Sequence, residues 1–249
     1  LSQIISAVLV MGSLMRTRDI YRLHLRKISI DWIMLKRIIR IGFPAGVQSI
    51  LYSVSNVIIQ SAVNSLGTNN VAAWAAYGKV DGLFWMMINA LGIAATTFVG
   101  QNYGARKPDR IHASIRAGIA LHFGFSVLHT AFLYLAREPV LRLFCTDEAV
   151  IAQGVEIVSY IVLGYLTIFP TEVFSSAMRG AGNAVRPTLL TLIGICALRM
   201  VLLLTITFPH TSNLTIAICY PITWCVSSLL FVLYYKFGKW MPAYREAAA

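Results

Sequence analysis

Two acidic residues, Asp81 and Glu172, lie inside long apolar runs of this sequence. An ionised carboxylate in apolar surroundings is costly unless a cation or several hydrogen-bond donors compensate its charge. Such a group can instead take up a proton and release it when its surroundings change. Reversible binding of a proton or of another cation is therefore the chemistry that we expect of both residues.

Two basic residues also lie inside apolar runs, Lys79 in the run of Asp81 and Arg199 in a separate one, and we expect them to balance the charge of the two acids. Lys79 is two positions from Asp81, so the two side chains point in different directions on a helix and are not an obvious pair. Arg199 needs a carboxylate partner, which Asp81 or Glu172 could supply. In the alternative interpretation each acid is one half of a static ion pair, which Glu172 would form with Arg179.

Polar side chains also recur every four residues in one apolar run, at Gln48, Tyr52, Asn56 and Gln60. Residues four apart lie on nearly the same face of a helix. That face must contact protein or a water-filled cavity, because amide groups that face lipid would be unsatisfied. We expect the first three of these residues to line a substrate cleft with Trp85, since Trp and Tyr rings can hold a cation. Ordinary hydrogen bonding between helices would also explain the stripe.

The composition indicates a protein that is embedded in lipid. Hydrophobic residues make up 57% of the chain and charged residues 12%, and the mean hydropathy is +0.70. Soluble domains carry about 25% charged residues. The net charge of +11 does not indicate a nucleic-acid partner, because nearly all the cations lie in the short gaps between apolar runs.

No pattern of an enzyme or of a metalloprotein is visible in the sequence. The four cysteines form no CxxC pair, and no nucleotide-binding motif, nucleophile triad or histidine–carboxylate cluster is present. We therefore expect no catalytic residues, no bound metal and no cofactor.

The positioning elements are predicted to be transmembrane helices, since about 20 apolar residues cross a bilayer. Residues 1–15 resemble the end of a truncated span. Six full spans follow, at 41–66, 72–102, 111–136, 151–178, 187–207 and 214–236. The predicted fold is an all-α polytopic bundle, with 41–236 as one six-helix lobe.

The cations between the spans predict an orientation. Alternate gaps are basic, so that 17 Lys and Arg residues would lie on one side of the membrane and two on the other. Positively charged loops stay in the cytoplasm. The basic stretch 16–40 and the tail 237–249 are therefore predicted to be cytoplasmic. Residues 31–40 are amphipathic and suit a helix at the inner membrane surface that leads into the first full span.

Three motifs resemble those of the multidrug and toxin extrusion (MATE) transporters. Residues 40–46 read RIGFPAG, residues 98–107 read FVGQNYGARK and residues 178–187 read MRGAGNAVRP, each at the predicted cytoplasmic end of a helix. Members of this family have twelve helices in two bundles of six. They export cationic or amphipathic compounds in exchange for protons or sodium ions.

The resemblance implies that this chain is the C-terminal half of such a carrier in a bacterial cytoplasmic membrane. Residues 1–15 would end the sixth helix, and 16–40 would join the two lobes. The N-terminal lobe of the same polypeptide would be a missing partner, without which we expect no transport. Some members carry a Glu eight residues after the Pro of the first motif, where this sequence has Tyr52. Glu172 resembles an acidic position of many bacterial relatives, and together these features favour proton coupling.

Two other functions fit a polytopic chain. A lipid-linked oligosaccharide flippase of the same superfamily would need a cleft richer in Arg and Lys, which bind pyrophosphate. A multi-span membrane enzyme or accessory subunit would need a cluster of His, Asp or Cys at one membrane face, and the sequence shows none.

Overall fold

The computed structural model describes residues 2–19, 22–25 and 29–241, and in this part of the chain all regular structure is helical. The α-helices are α1 Ser2–Arg16, α2 Trp32–Asn64, α3 Thr68–Gly104, α4 Pro108–Arg142, α5 Glu148–Ile161, α6 Tyr165–Gly180, α7 Val185–Thr191, α8 Leu198–Leu202 and α9 Asn213–Phe237. A 3₁₀ turn, Val162–Gly164, joins α5 to α6. Two π-helical segments, Leu192–Ala197 and Leu203–Thr207, flank α8.

Five stretches of the described chain are long and apolar enough to cross a membrane: 68–104, 108–142, 148–180, 185–207 and 213–237. Each contains one of the predicted spans, so these five predictions and the helical polytopic class are confirmed. The first predicted span lies in α2, which ends at Asn64. Its apolar sequence is interrupted by the polar stripe, and α2 is not among the five, so its crossing stays a prediction.

The chain divides into two compact units, residues 1–40 and residues 41–249. In the first unit the chain turns back after α1, and the Leu23 amide donates to the Leu14 carbonyl at 2.9 Å. The Asp31 carboxylate caps α2 by accepting from the Ile33 amide at 2.8 Å. The predicted amphipathic segment is therefore helical from Trp32, where α2 begins.

Glycines allow helices of the second unit to pack closely. A Cβ atom at Gly180 of α6 would lie 2.5 Å from the Thr96 carbonyl oxygen of α3, and one at Gly194 would lie 2.8 Å from Ser227 Cα of α9. Small residues at such crossings let backbones approach in membranes, where packing and hydrogen bonds hold helices together. Gly180, which belongs to the third motif, thus allows α3 and α6 to approach this closely.

The packed interior consists of two apolar clusters. One contains Phe84, Tyr165 and Trp224, from α3, α6 and α9, and the other contains Phe174 and Phe231, from α6 and α9. Many large apolar side chains of the spans point outward, and Leu135 is 81% exposed. Contact with lipid is favourable for such side chains, whereas their exposure to water would be unfavourable.

The third motif, between α6 and α7, contacts the segment that follows α9. Gly182, between α6 and α7, has a φ of +84°, a conformation that side chains with a Cβ rarely adopt. The next residue, Asn183, donates through Nδ2 to the Trp240 carbonyl at 3.1 Å, and Arg186 donates to the Tyr234 hydroxyl. These bonds fasten the segment after α9 to the loop.

Candidate functional site

A polar cavity of about 610 Å³ opens among the helices of the second unit. Its walls come from α2, α3, α6, α7, α8 and α9. The lining residues are Gln48, Tyr52, Asn56, Ile59, Gln60, Val63, Trp74, Tyr77, Gly78, Asp81, Trp85, Asn89, Glu172, Ser175, Arg179, Thr191, Arg199, Tyr220 and Trp224.

Seven of the eight residues predicted from the sequence line this one cavity. They are Gln48, Tyr52, Asn56, Asp81, Trp85, Glu172 and Arg199. The eighth, Lys79, is exposed and does not line it. A separation of two residues turns a side chain by about 200° around a helix, so α3 cannot present both Lys79 and Asp81 to the cavity.

Asp81 is held by two tyrosines. The Tyr165 hydroxyl donates to Asp81 Oδ1 at 2.6 Å, and the Tyr77 hydroxyl donates to the same oxygen at 3.1 Å. The two hydroxyl oxygens lie 2.9 Å apart. Tyr77 shares a helical face with Asp81 and could be placed beside it from the sequence. Tyr165 could not, because no local pattern relates it to a residue 84 positions away.

Aromatic rings surround this triangle. Tyr165 stacks on Trp224, with ring centroids 5.4 Å apart, and packs against Phe84 at 4.3 Å. Trp85 meets Trp224 edge to face at 5.9 Å. Trp74 and Trp224 line the same cavity as Trp85, so aromatic faces form much of its wall on the α3 and α9 sides.

Arg199 is 3% exposed and lies on α8 between the two π-helical segments. Its Cζ atom is 4.5 Å from the centre of the Tyr220 ring, and Nη2 donates to the Thr223 hydroxyl at 3.4 Å. Nε has no hydrogen-bond partner among the described residues. π-Helical segments often occur at functional sites, because the extra residue changes the direction of the side chains that follow.

The ion pairs considered from the sequence are not formed. Within the described residues, the ion pairs closer than 4.0 Å join Arg142 to Glu138 and to Glu148, at the end of α4. Neither Arg199 nor Lys79 contacts a described carboxylate at that distance. Among the described residues, the charge balance that we expected of Lys79 and Arg199 is therefore not made by direct ion pairs.

Glu172 lies where the large cavity meets a smaller one of about 190 Å³. Both cavities are lined by Glu172, Asn89 and Arg179. Among the described side chains none donates a hydrogen bond to Glu172, and the bridge to Arg179 is not made. The half-buried carboxylate is thus open to a proton, a cation or a substrate.

A metal centre is not indicated in the described part of the chain, where no group of three His, Cys, Asp or Glu residues could hold an ion. Besides Tyr77, four aromatic residues were not predicted from the sequence as part of the site: Trp74, Tyr220 and Trp224 in the cavity wall, and Tyr165 behind Asp81. The sequence shows only that these four residues are aromatic, and many lipid-facing and core residues are aromatic as well.

Curated multidrug resistance proteins are similar to this chain. It is 28% identical over 213 residues to the probable multidrug resistance protein YoeA of Bacillus subtilis (strain 168), which covers 85% of this chain and 46% of that protein. It is 32% identical over 156 residues to the probable multidrug resistance protein NorM of Aromatoleum aromaticum, which covers 63% and 34%. The chain thus spans about half, or less, of the length of these curated relatives.

A solved structure has the same fold. The chain superposes on the crystal structure of a MATE protein in complex with MaL6 with a TM-score of 0.83 and 19% identity. The match covers 94% of this chain and 54% of that one.

The MatE family model matches residues 44–205, which is more than half of the chain. The match includes the second and third motifs and residues 44–46 of the first. The match also contains the cavity residues of α2, α3, α6, α7 and α8. Proteins of this family are transporters and not enzymes. The chain is accordingly a multi-pass membrane protein and belongs to the MatE family of transporters.

Proposed function

We propose that this chain is one lobe of a secondary antiporter that exports cationic or amphipathic compounds in exchange for protons or sodium ions. The observation that carries the proposal is a single cavity in which two carboxylates, Asp81 and Glu172, lie among aromatic rings. Protons are the favoured coupling ion, because this sequence has Tyr52 where some members of the family carry a Glu, so that sodium binding through that carboxylate is not available here.

The arrangement at Asp81 suits reversible protonation. Three oxygen–oxygen contacts connect Asp81 Oδ1 with the two tyrosine hydroxyls, which bring only two protons between them. An ionised carboxylate accepts but cannot donate, so one contact then lacks a hydrogen bond. A proton on Asp81 would supply the third donor and complete the ring. The triangle therefore accommodates both states of the carboxyl group.

The cavity also suits a drug-sized cation. Small-molecule sites have volumes of roughly 300–1,000 Å³ and combine apolar walls with a few polar groups. Trp74, Trp85 and Trp224 line the cavity and are the candidates for cation–π contacts, while Glu172 offers a carboxylate to which no described side chain donates. Proton and drug would then compete for the same negative charge, which is the simplest form of exchange.

The second half of the transport path would come from an N-terminal lobe of the same polypeptide. Carriers of this class bind substrate between two repeats and alternate between two orientations. We propose that the basic ends of the helices, the segment 16–40 and the tail face the bacterial cytoplasm. Residues 1–249 alone, reconstituted in vesicles, are expected to show no ion-coupled efflux.

The charges of the cavity favour drug export over lipid flipping. Its two guanidinium groups, Arg179 and Arg199, are matched by two carboxylates. A pyrophosphate headgroup would require an excess of cations. Resistance of cells to cationic dyes, conferred by the full-length gene, separates the two functions.

The decisive measurement is drug-dependent proton release from vesicles that contain the full-length protein. Asp81→Asn is expected to abolish this release, because the amide cannot exchange a proton. Asp109→Asn, at an exposed carboxylate in the first turn of α4, is the matched control and should release protons as the unchanged protein does. Normal release from Asp81→Asn would remove Asp81 from the mechanism.

A further inference from the structure

Arg199 is a buried cation of the cavity without a direct counter-charge. It is 3% exposed, and no carboxylate of the described residues lies within the 4.0 Å of an ion pair. Burial of a charge is tolerated when it is paired and hydrogen-bonded. A missing pair at a residue that lines a ligand-sized cavity points to a partner that arrives from outside the protein.

Most of the hydrogen-bonding capacity of Arg199 is unused. A guanidinium group carries five N–H donors in a planar fork. To the described residues it makes a single hydrogen bond, from Nη2 to the Thr223 hydroxyl, and this bond is long, at 3.4 Å. Cζ lies 4.5 Å from the centre of the Tyr220 ring, a contact that uses none of the N–H groups. The buried Nε has no hydrogen-bond partner among the described residues.

The charges in the cavity are separated rather than paired. Asp81 and Glu172 contribute two negative charges, and Arg179 and Arg199 contribute two positive ones, yet none of these groups forms an ion pair with a described residue. A purely cationic ligand would pair only with the carboxylates. A ligand with an ammonium group and a carboxylate would pair with the carboxylates and with the guanidinium groups at once.

We propose that Arg199 is an anion subsite that binds the carboxylate of a zwitterionic substrate. Tyr220 and Thr223 contact the guanidinium group, and its unused N–H groups make paired hydrogen bonds to the two carboxylate oxygens. The cationic end of the same molecule lies toward Glu172 and the tryptophans. This assignment rests on the proposed function, because it takes the cavity to be the substrate site.

A matched pair of dyes tests the subsite. Rhodamine 110 carries a free carboxylate, and rhodamine 123 is its methyl ester, so the two differ at the group that Arg199 would bind. Binding of each dye to the purified full-length protein is measured by fluorescence anisotropy. Arg199→Met is expected to raise the Kd of rhodamine 110 roughly tenfold or more, since a hydrogen-bonded charge is lost, and to leave that of rhodamine 123 within about twofold.

Other outcomes overturn the proposal. Equal weakening of both dyes would make Arg199 a structural residue or a counter-charge for Asp81. Unchanged binding of both, or binding of the ester by the original protein without binding of the acid, would leave Arg199 without a ligand. Dye efflux tests the proposed function separately. Binding with the expected selectivity but without efflux would refute export and leave the subsite standing.

A conservative variant decides the question if Arg199→Met cannot be purified. Arg199→Lys keeps the positive charge but loses the planar fork. It should raise the Kd of rhodamine 110 by roughly threefold or more and should not change that of rhodamine 123. Unchanged binding of both dyes to Arg199→Lys would overturn the paired hydrogen bonds and with them the proposal.

Discussion

Tyr165 donates a hydrogen bond of 2.6 Å to Asp81 although the two residues are 84 positions apart in the sequence. The bond joins the start of α6 to the middle of α3. It also connects Asp81 with the aromatic cluster, because the Tyr165 ring stacks on Trp224. The Asp81 carboxyl group is thereby linked to the packing of three helices, α3, α6 and α9.

Removing the Tyr165 hydroxyl should impair coupling while the helices stay packed. Tyr165→Phe keeps the ring on Trp224 and deletes the donor to Asp81, so we expect proton-driven efflux to slow on the order of tenfold. The matched control is Tyr160→Phe, which deletes a similar hydroxyl–carboxylate bond to Glu156 outside the cavity. Vesicle assays with an imposed pH gradient measure both. Equal rates for the two variants would contradict a role for Tyr165.

Glu172 should determine how transport responds to an ion gradient. Glu172→Gln removes the negative charge that has no partner among the described residues, so efflux should lose its response to an imposed pH gradient. A sodium gradient, applied to the unchanged protein at constant pH, should have little effect. Strong stimulation by sodium that disappears in Glu172→Gln would instead assign sodium as the coupling ion.

The contact between α3 and α6 should depend on the absence of a side chain at Gly180. In Gly180→Ala the new methyl carbon would meet the Thr96 carbonyl oxygen at 2.5 Å, so the helices must separate. Overpacking of this kind costs about 1–3 kcal/mol. Gly124→Ala is the control, because a methyl carbon added there would have no heavy atom of a neighbouring element within 4 Å. Thermal unfolding in detergent should show a lower midpoint for Gly180→Ala alone.

The orientation can be tested by labelling single cysteines in intact cells. The four native cysteines are first replaced, and cysteine is then placed at Lys107 or Lys239 for one side and at Asn69 or His210 for the other. All four positions are exposed. A membrane-impermeant reagent should label only Asn69→Cys and His210→Cys from outside. Labelling of Lys107→Cys under the same conditions would contradict the cytoplasmic placement of the basic loops.

Much of the fold and of the site follows from local sequence. Helices that cross a bilayer must form all the hydrogen bonds of their backbone internally and expose apolar side chains to lipid. Length and hydropathy alone therefore locate five of the spans. The same condition predicts that Gln48, Asn56 and Asp81 face protein or a cavity rather than lipid, and all three line the cavity. Polar residues on different spans that avoid lipid have only the interior between helices in which to meet, and the cavity lies there.

The partners of these residues were decided by the tertiary structure. Whether Asp81 meets Lys79, Arg199 or Tyr165 depends on the rotation and depth of helices that are far apart in sequence, and no local pattern encodes either. The π-helical segments around α8 change the direction of Arg199 in a way that an ideal helical repeat does not predict. Aromatic residues are equally stable against lipid and against protein, so only packing assigns Trp224 to the cavity wall.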